Sequence, residues 1–110
     1  MSSLRNKVQL IGRLGQDPEI VNFNDGGKIA KFSLAVDDSY KYKNGTKVER
    51  TYWHSVIVRN GLVKVVEDYL TKGKEVAIEG KLTNRTWEDS SGKKNYVTEI
   101  FVSDLVMFGK

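Results

Sequence analysis

The stretch "TYWHSVIVRN", residues 51–60, alternates as a strand does, yet a large ring or an aliphatic side chain falls on both of its faces. Successive side chains of a strand point to opposite faces. Tyr52, His54, Val56 and Val58 therefore share one face, and Thr51, Trp53, Ser55, Ile57 and Arg59 share the other. The first set reads as the core face, with Tyr52 belonging to it. That leaves Trp53 beside hydroxyls and a cation, and the rest of the chain has to account for it.

Working outward, "KVQLIGRL" (7–14) also alternates, with Val8, Leu10, Gly12 and Leu14 on one side and Gly12 marking a bend or a close backbone approach. "GQDPEIVNFNDGG" (15–27) holds the only proline and ends in turn chemistry, so it reads as a loop. "KIAKFSLAV" (28–36) is a second strand. "DSYKYKNGTKVE" (38–49) carries Asn44-Gly45, a strong hairpin signal. A two-residue turn there pairs Lys43 with Thr46, Tyr42 with Lys47 and Tyr40 with Glu49, which clusters Tyr40, Tyr42 and Lys47 on one arm.

After the opening stretch the period changes. In "NGLVKVVEDYLTKG" (60–73), Leu62, Val65, Val66, Tyr69 and Leu70 recur at helical spacing, with Asn60 as N-cap and Gly73 as the stop. "EVAIEGKLTNRTWE" (75–88) returns to alternation, with Val76, Ile78, Gly80 and Leu82 inward and Lys81, Thr83, Arg85 and Trp87 outward. "YVTEIFVSDLVMF" (96–108) is the last strand. The order is three strands, a helix and two strands. This is the order of an all-β, five-stranded OB-fold barrel with one helix between strands 3 and 4 and a long hairpin arm between strands 2 and 3. An SH3-like barrel and an α+β sheet are the alternatives that the order leaves open.

Composition narrows the chemistry. The chain has 110 residues, 39% apolar and 29% charged, with 18 Lys+Arg against 14 Asp+Glu. That suits one globular domain over 1–110. There are no cysteines and a single histidine, so disulfides, thiolate zinc sites and a multi-histidine metal site within one chain are excluded. No cofactor and no metal are expected. The N-terminus lacks a signal-peptide core and no run is long enough to span a membrane, so an intracellular location is expected. The net charge of +4 suits a polyanionic partner without requiring one.

Trp53 now has company. Arg59 on its own strand, Lys81, Arg85 and Trp87 on the fourth strand, and Tyr40, Lys41, Tyr42, Lys43 and Lys47 on the arm place rings among cations. Cations neutralise phosphates and rings stack on unpaired bases, so the pattern points to single-stranded nucleic acid. Each feature has a plainer reading. A tryptophan in a small β-domain is often core, a lysine-rich hairpin is often a solvated face, and Tyr40 and Tyr42 can be a packing pair. The constellation favours binding more than any one residue does. Ile11 and Ile57 fall on outward parities beside Gln9 and Ser55, where a monomer has no core to cover them. Gln9 and Ile11 are therefore candidates for a subunit interface, and His54, on the inward parity, reads as a structural or subunit-interface histidine rather than a ligand.

The stretches "NKVQLIGRLGQDPE" (6–19), "YWHSVIV" (52–58), "YLTKGKEVAIEGKL" (69–82) and "RTWEDSSGKKNYVTEI" (85–100) resemble the bacterial and mitochondrial single-stranded DNA-binding protein family, in the same order and over nearly the whole chain. The resemblance implies an OB-fold, a homotetramer, and wrapping of single-stranded DNA in replication, recombination and repair, with no catalytic activity. It places the family's stacking aromatics on Trp53 and Trp87, a third on Tyr40, and basic DNA contacts on Lys43, Lys72 and Arg85. A family phenylalanine falls on Arg59, a departure, although a guanidinium also stacks. The family's flexible linker and acidic tip have no counterpart before the chain stops at "VMFGK", whether the tail was removed or this is a short member, so recruitment of partner enzymes is left open. An OB-fold module for RNA or for replication restart is the second reading. A metal-dependent nuclease is third, since it needs clustered carboxylates and a base. A purely structural oligomerisation domain is fourth.

Overall fold

The computed structural model describes residues 5–108; residues 1–4 and 109–110 of the domain read from the sequence lie outside the described residues. The elements run β1 (Val8–Leu14), β2 (Glu19–Asn22), β3 (Lys28–Asp37), β4 (Tyr40–Lys41), β5 (Lys47–Val48), β6 (Thr51–Arg59), α1 (Leu62–Tyr69), β7 (Glu75–Glu88) and β8 (Lys94–Met107). The main sheet has the order β1-β7-β8-β6-β3-β2, and an additional β1–β3 pairing closes β1, β7, β8, β6 and β3 into a ring. This is the five-stranded barrel expected from the sequence, with its helix between the third and fourth barrel strands.

Closure depends on a bend. β1 pairs with β7 from Val8 to Arg13 and with β3 at Arg13 and Leu14, so one strand serves two neighbours. Gly12 sits at the switch, where a Cβ would strike the Ala35 carbonyl oxygen and crowd Leu34. The absence of a side chain lets the two backbones approach. Gly80 plays the same part on β7, beside a bulge, where a Cβ would strike the Phe101 carbonyl.

Inside the ring lie Leu14, Ala30, Phe32, Leu34, Val56, Val58, Val76, Ile78 and Ile100, and α1 covers one end with Val63 and Val66, joined by Leu70 just after it. These apolar faces, removed from water together, are the main driving force for closure. No helix among the described residues is long and apolar enough to cross a membrane.

Several expectations are corrected. The segment read as a loop after Pro18 contains β2, which pairs with β3 through Ile20–Ala30 and Val21–Ile29. Proline is compatible with a strand's flank, and the Asn24-Asp25-Gly26-Gly27 turn folds β2 back on β3 rather than ending all structure. Asn60 does not cap the helix. It adopts φ 62°, the left-handed conformation that asparagine tolerates, and α1 starts after it without a side-chain cap. The helix buries Val63 and Val66, and Leu70 just after it, while Tyr69 stands out in solvent at 62% exposure. Leu82, expected inside, is exposed because β7 by then runs past the end of the barrel. Tyr52 is exposed as well: β8 pairs with β6 only from Ser55 to Ile57, so residues 51–54 have β3 alone as a strand neighbour. Ile57, by contrast, is buried although its parity is outward. Lys31 of β3 and Phe101 of β8 flank it in the middle of the sheet.

Candidate nucleic-acid interface

Cross-strand partners share a face, so the pairing register maps the outer surface. On β7 and β8, Lys81 is opposite Phe101, Thr83 opposite Glu99, Arg85 opposite Val97 and Trp87 opposite Asn95. The same face continues onto β6 through Ser55 and Ile57, which pair with Glu99 and Phe101. It continues onto β3 through Lys31, Ser33 and Ala35, opposite Ile57, Ser55 and Trp53. Trp53, Arg59, Lys81, Arg85 and Trp87 therefore lie on one outer face. From Lys81 to Trp87 it extends about 20 Å at the usual strand rise.

Both tryptophans present their rings to solvent, Trp53 at 61% and Trp87 at 47% exposure. Trp53 is nonetheless supported. Its six-membered ring lies where a Cβ on Gly15 would be, so the turn after β1 forms a seat beneath it. Lys72 joins this end, its backbone N–H donating to Asp17 Oδ1 at 2.8 Å while its side chain stays exposed. The side chain of Arg13 anchors the same loop through the Gly73 carbonyl at 3.1 Å.

The two arginines of the face are held in opposite ways. Arg85 donates from Nε and Nη2 to the two carboxylate oxygens of Glu99, at 3.3 and 3.0 Å. Glu99 is only 6% exposed, a buried carboxylate at the centre of the outer face. The pair raises the Arg85 guanidinium above its ordinary value, through the Glu99 hydrogen bonds and then the Glu99 charge. Arg59 has no carboxylate partner among the described residues; its Cζ lies 4.4 Å from the centre of the Phe101 ring. Neither Glu99 nor Phe101 stood out in the sequence. Glu99 is diagonal to Arg85, two residues from its direct partner, and Phe101 meets Arg59 only through the parallel β6–β8 pairing, which local patterning does not encode.

The β4–β5 arm carries Tyr40, Lys41, Lys43 and Lys47, all exposed. Its register differs from the expected one. Tyr40 is opposite Val48 and Lys41 opposite Lys47. Tyr42 N–H donates to Thr46 O and Gly45 N–H to Tyr42 O, and Gly45 has φ 91°, so the loop has three residues and a left-handed glycine instead of two residues. That slip moves Lys47 away from the tyrosines to the face of Lys41, where Glu49 lies 3.6 Å from its ammonium. Tyr40 and Tyr42 meet edge to face with ring centres 5.4 Å apart, and the Arg50 guanidinium stands 5.6 Å over Tyr40. The Tyr40 hydroxyl is raised above its ordinary value, first by its hydrogen bond with Tyr42.

Away from this face, Gln9 and Ile11 are exposed on β1, and Gln9 Nε2 donates to Glu79 Oε1 at 2.8 Å. His54 is half-buried opposite Leu34. The structure thus brings Trp53, Trp87, Arg59 and Arg85 to one face, sets Tyr40 and its lysines on a separate arm, and puts Gln9 and Ile11 on another side of the barrel.

A barrel of this topology with rings and cations on its outer face is an oligonucleotide-binding type of domain. The chain belongs to the single-strand binding protein family, whose model it matches over residues 5–108. It is 44% identical over 111 residues to single-stranded DNA-binding protein 1 of Xylella fastidiosa, covering 81% of that protein, and 44% identical over 104 residues to the single-stranded DNA-binding protein of Bacteroides thetaiotaomicron, covering 65% of it. Among solved structures it resembles a Plasmodium falciparum SSB complex with ssDNA, with TM-score 0.84, 34% identity and 99% of each chain covered. It also resembles a deletion mutant of the single-stranded DNA binding protein from Thermus aquaticus, with TM-score 0.79 and 27% identity over 94% of this chain and 50% of that one.

Proposed function

We propose that residues 1–110 act as one OB-fold unit that binds single-stranded DNA without sequence preference, in replication, recombination and repair. The observation that carries this reading is the pair of solvent-facing tryptophans, Trp53 and Trp87, on a single face with Arg59, Lys81 and Arg85. Free bases stack on the rings and on Tyr40, and phosphates meet Lys41, Lys43, Lys47, Lys72, Arg59 and Arg85. Stacking needs unpaired bases but no particular base, so the mechanism selects single strands over duplexes and ignores sequence. The reading is of a binding protein that works without a reaction, a cofactor or a metal, in the cytoplasm with the nucleoid.

Assembly into a homotetramer is part of the same proposal. One small barrel offers a short track, and linked tracks gain through effective concentration. Its support is an apolar outer surface on β1, β7 and β8. Ile11 is 56% and Val106 53% exposed, and with Leu10, Ala77 and Ile78 they border a 510 Å³ groove rimmed by Gln9, Glu79 and Asp104. Gln9, Ile11 and His54 are assigned to subunit contacts.

Titration with oligo-dT, followed by intrinsic tryptophan fluorescence, tests the reading, because Trp53 and Trp87 are the only tryptophans. Quenching at low salt that reverses as salt rises is expected. Unquenched fluorescence, or a preference for duplex, would remove it. An RNA-binding module would instead show single-stranded RNA of equal length displacing the DNA efficiently. Light scattering checks assembly, with a mass of about four times 12.5 kDa expected.

A further inference from the structure

The middle of the outer face carries a row of small polar side chains that neither stacking nor phosphate contact explains. Ser33 of β3 is opposite Ser55 of β6, Ser55 is opposite Glu99 of β8, and Glu99 is opposite Thr83 of β7. Larger side chains stand on both sides of this row, Trp53 and Arg85 on one and Ile57, Phe101 and Lys81 on the other. A cavity of 120 Å³ opens between them, with Gln16, Glu19, Lys31, Ser33, Ser55 and Glu99 in its lining.

Glu99 is the unusual member. It is only 6% exposed, yet it reaches the cavity. A carboxylate repels the phosphates that the rest of this face attracts. Arg85 offsets that charge with one N–H to each carboxylate oxygen. Each oxygen keeps a second lone-pair site, so Glu99 remains an acceptor toward the cavity. The Ser33 and Ser55 hydroxyls hold no hydrogen bond to another side chain among the described residues, and a hydroxyl can donate or accept. Ser55 and Glu99 sit one strand spacing apart, about 4.8 Å. That spacing is close to the width of a base's Watson–Crick edge.

We propose that this row reads the edge of one base and gives the track a preference for cytosine over thymine at that position. The cytosine N4 amine donates to Glu99, and its O2 carbonyl accepts from the Ser55 hydroxyl. Acidic side chains accept from the same amine when they read duplex DNA. Thymine turns its O4 carbonyl toward the carboxylate instead, two acceptors face each other, and the base stands off the row. Adenine has the amine but no carbonyl at the other end of its edge. Guanine carries an amine and a carbonyl in the reverse order, and the single ring of cytosine suits the 120 Å³ cavity better. The site rests on the single-stranded DNA reading. Stacking holds the strand whatever its sequence, and the row adds selectivity at one nucleotide.

Competition binding with the full chain compares oligo-dT with the same strand carrying one central cytosine. The cytosine strand should bind several-fold tighter. N4,N4-dimethylcytosine at that position has no donor and should remove the gain. Glu99→Gln frees Arg85 toward the phosphates of both strands alike, so that effect cancels in the ratio of affinities. The ratio itself should collapse, because the amide can turn its N–H toward thymine O4. Ser55→Ala should weaken the cytosine strand and leave oligo-dT unchanged. Thermal melting reports folding, and if Glu99→Gln melts early, the dimethyl analogue and Ser55→Ala decide with the acid in place. If the parent binds oligo-dT with tryptophan quenching while cytosine brings no gain, the edge-reading row is overturned and the general reading stands. The same holds if the gain survives the analogue, a folded Glu99→Gln or Ser55→Ala. If the parent does not bind oligo-dT, both fall.

Discussion

Two hairpins leave the barrel, and they are built on different foundations. The β7–β8 hairpin continues two strands of 14 residues each out of the barrel wall, so its register is set by the packed core below it. At its base the Arg85–Glu99 pair buries a carboxylate and spans the two strands. The β4–β5 arm has two strands of two residues each in a sheet of their own. It is closed at the base by an Asp38 N–H to Arg50 carbonyl bond of 2.8 Å and at the tip by its turn. Few bonds and little burial make it the region that opens at least cost. Both hairpins offer rings among cations. One carries Trp87 on a strand whose pairing continues from the barrel wall, and the other carries Tyr40 on a two-residue strand outside the main sheet, so ordering on binding falls more heavily on the arm. Ordering a side chain on binding costs free energy that a fixed one does not.

The largest expected effect follows from this difference. Trp87→Ala should weaken oligo-dT binding by about 1–3 kcal/mol without lowering the melting temperature, because the ring is half-exposed and leaves no core cavity. Tyr40→Ala should lose less, and Tyr40→Phe should bind nearly as the parent does, since the π-face remains. If Tyr40→Ala costs as much as Trp87→Ala in a fluorescence or anisotropy titration, pre-ordering gives no advantage and the comparison breaks.

Glu99→Gln should act next, on stability. It replaces a charge-assisted pair with a neutral hydrogen bond and should cost about 1 kcal/mol, a few degrees of melting temperature. It also frees the Arg85 charge, so the salt slope of DNA binding should steepen. The matching change on the arm, Glu49→Gln beside Lys47, should leave the melting curve unmoved, because that pair is exposed.

Gly45→Ala should cost about 1 kcal/mol, felt by the arm alone, since φ 91° is unfavourable for any residue with a Cβ. Amide exchange should quicken at Tyr42 and Gly45 while the barrel amides keep their protection. A fall in global melting temperature would show that the arm is tied to the core more tightly than its bonds suggest.

The smallest effect is on pH. Asp37, where the arm leaves the barrel, is held below its ordinary carboxylate value by the Ser39 hydroxyl and then the Ser39 N–H. Asp89, in the β7–β8 turn, is lowered in the same way, first by the Ser91 hydroxyl and then by the Lys93 N–H. A carboxyl whose folded value is depressed stabilises fully above its ordinary value, and that contribution is lost as pH falls through the folded value. Both turns should therefore hold through neutral pH and loosen only in acid, below about pH 4. Carboxyl NMR titration should give both midpoints below the ordinary value, with Ser39→Ala returning Asp37 toward it and leaving Asp89 unmoved.

Much of this was legible in the chain itself. Alternation set the barrel strands, because a strand with one wet face must repeat every two residues, and the β7 bounds came out at 75–88 as read. The same alternation placed Trp53, Arg59, Lys81, Arg85 and Trp87 outward, and Gly12 marked the bend. These are local properties, set by each residue's own side chain and its near neighbours. Tertiary structure decided what depends on where strands end against one another. Tyr52 and Leu82 follow the inward parity yet are exposed, because their strands there run on past one of the partners that close the barrel; Ile57 follows the outward parity yet is buried, in the middle of the sheet between Lys31 and Phe101. The arm's register turned on one residue of loop length, which Asn44-Gly45 permits either way. The partners of the two arginines were decided last of all. Arg85 meets Glu99 across a diagonal, and Arg59 meets Phe101 across a parallel pairing between strands that lie far apart in the chain. No local pattern records such a meeting, because it exists only once the barrel has closed.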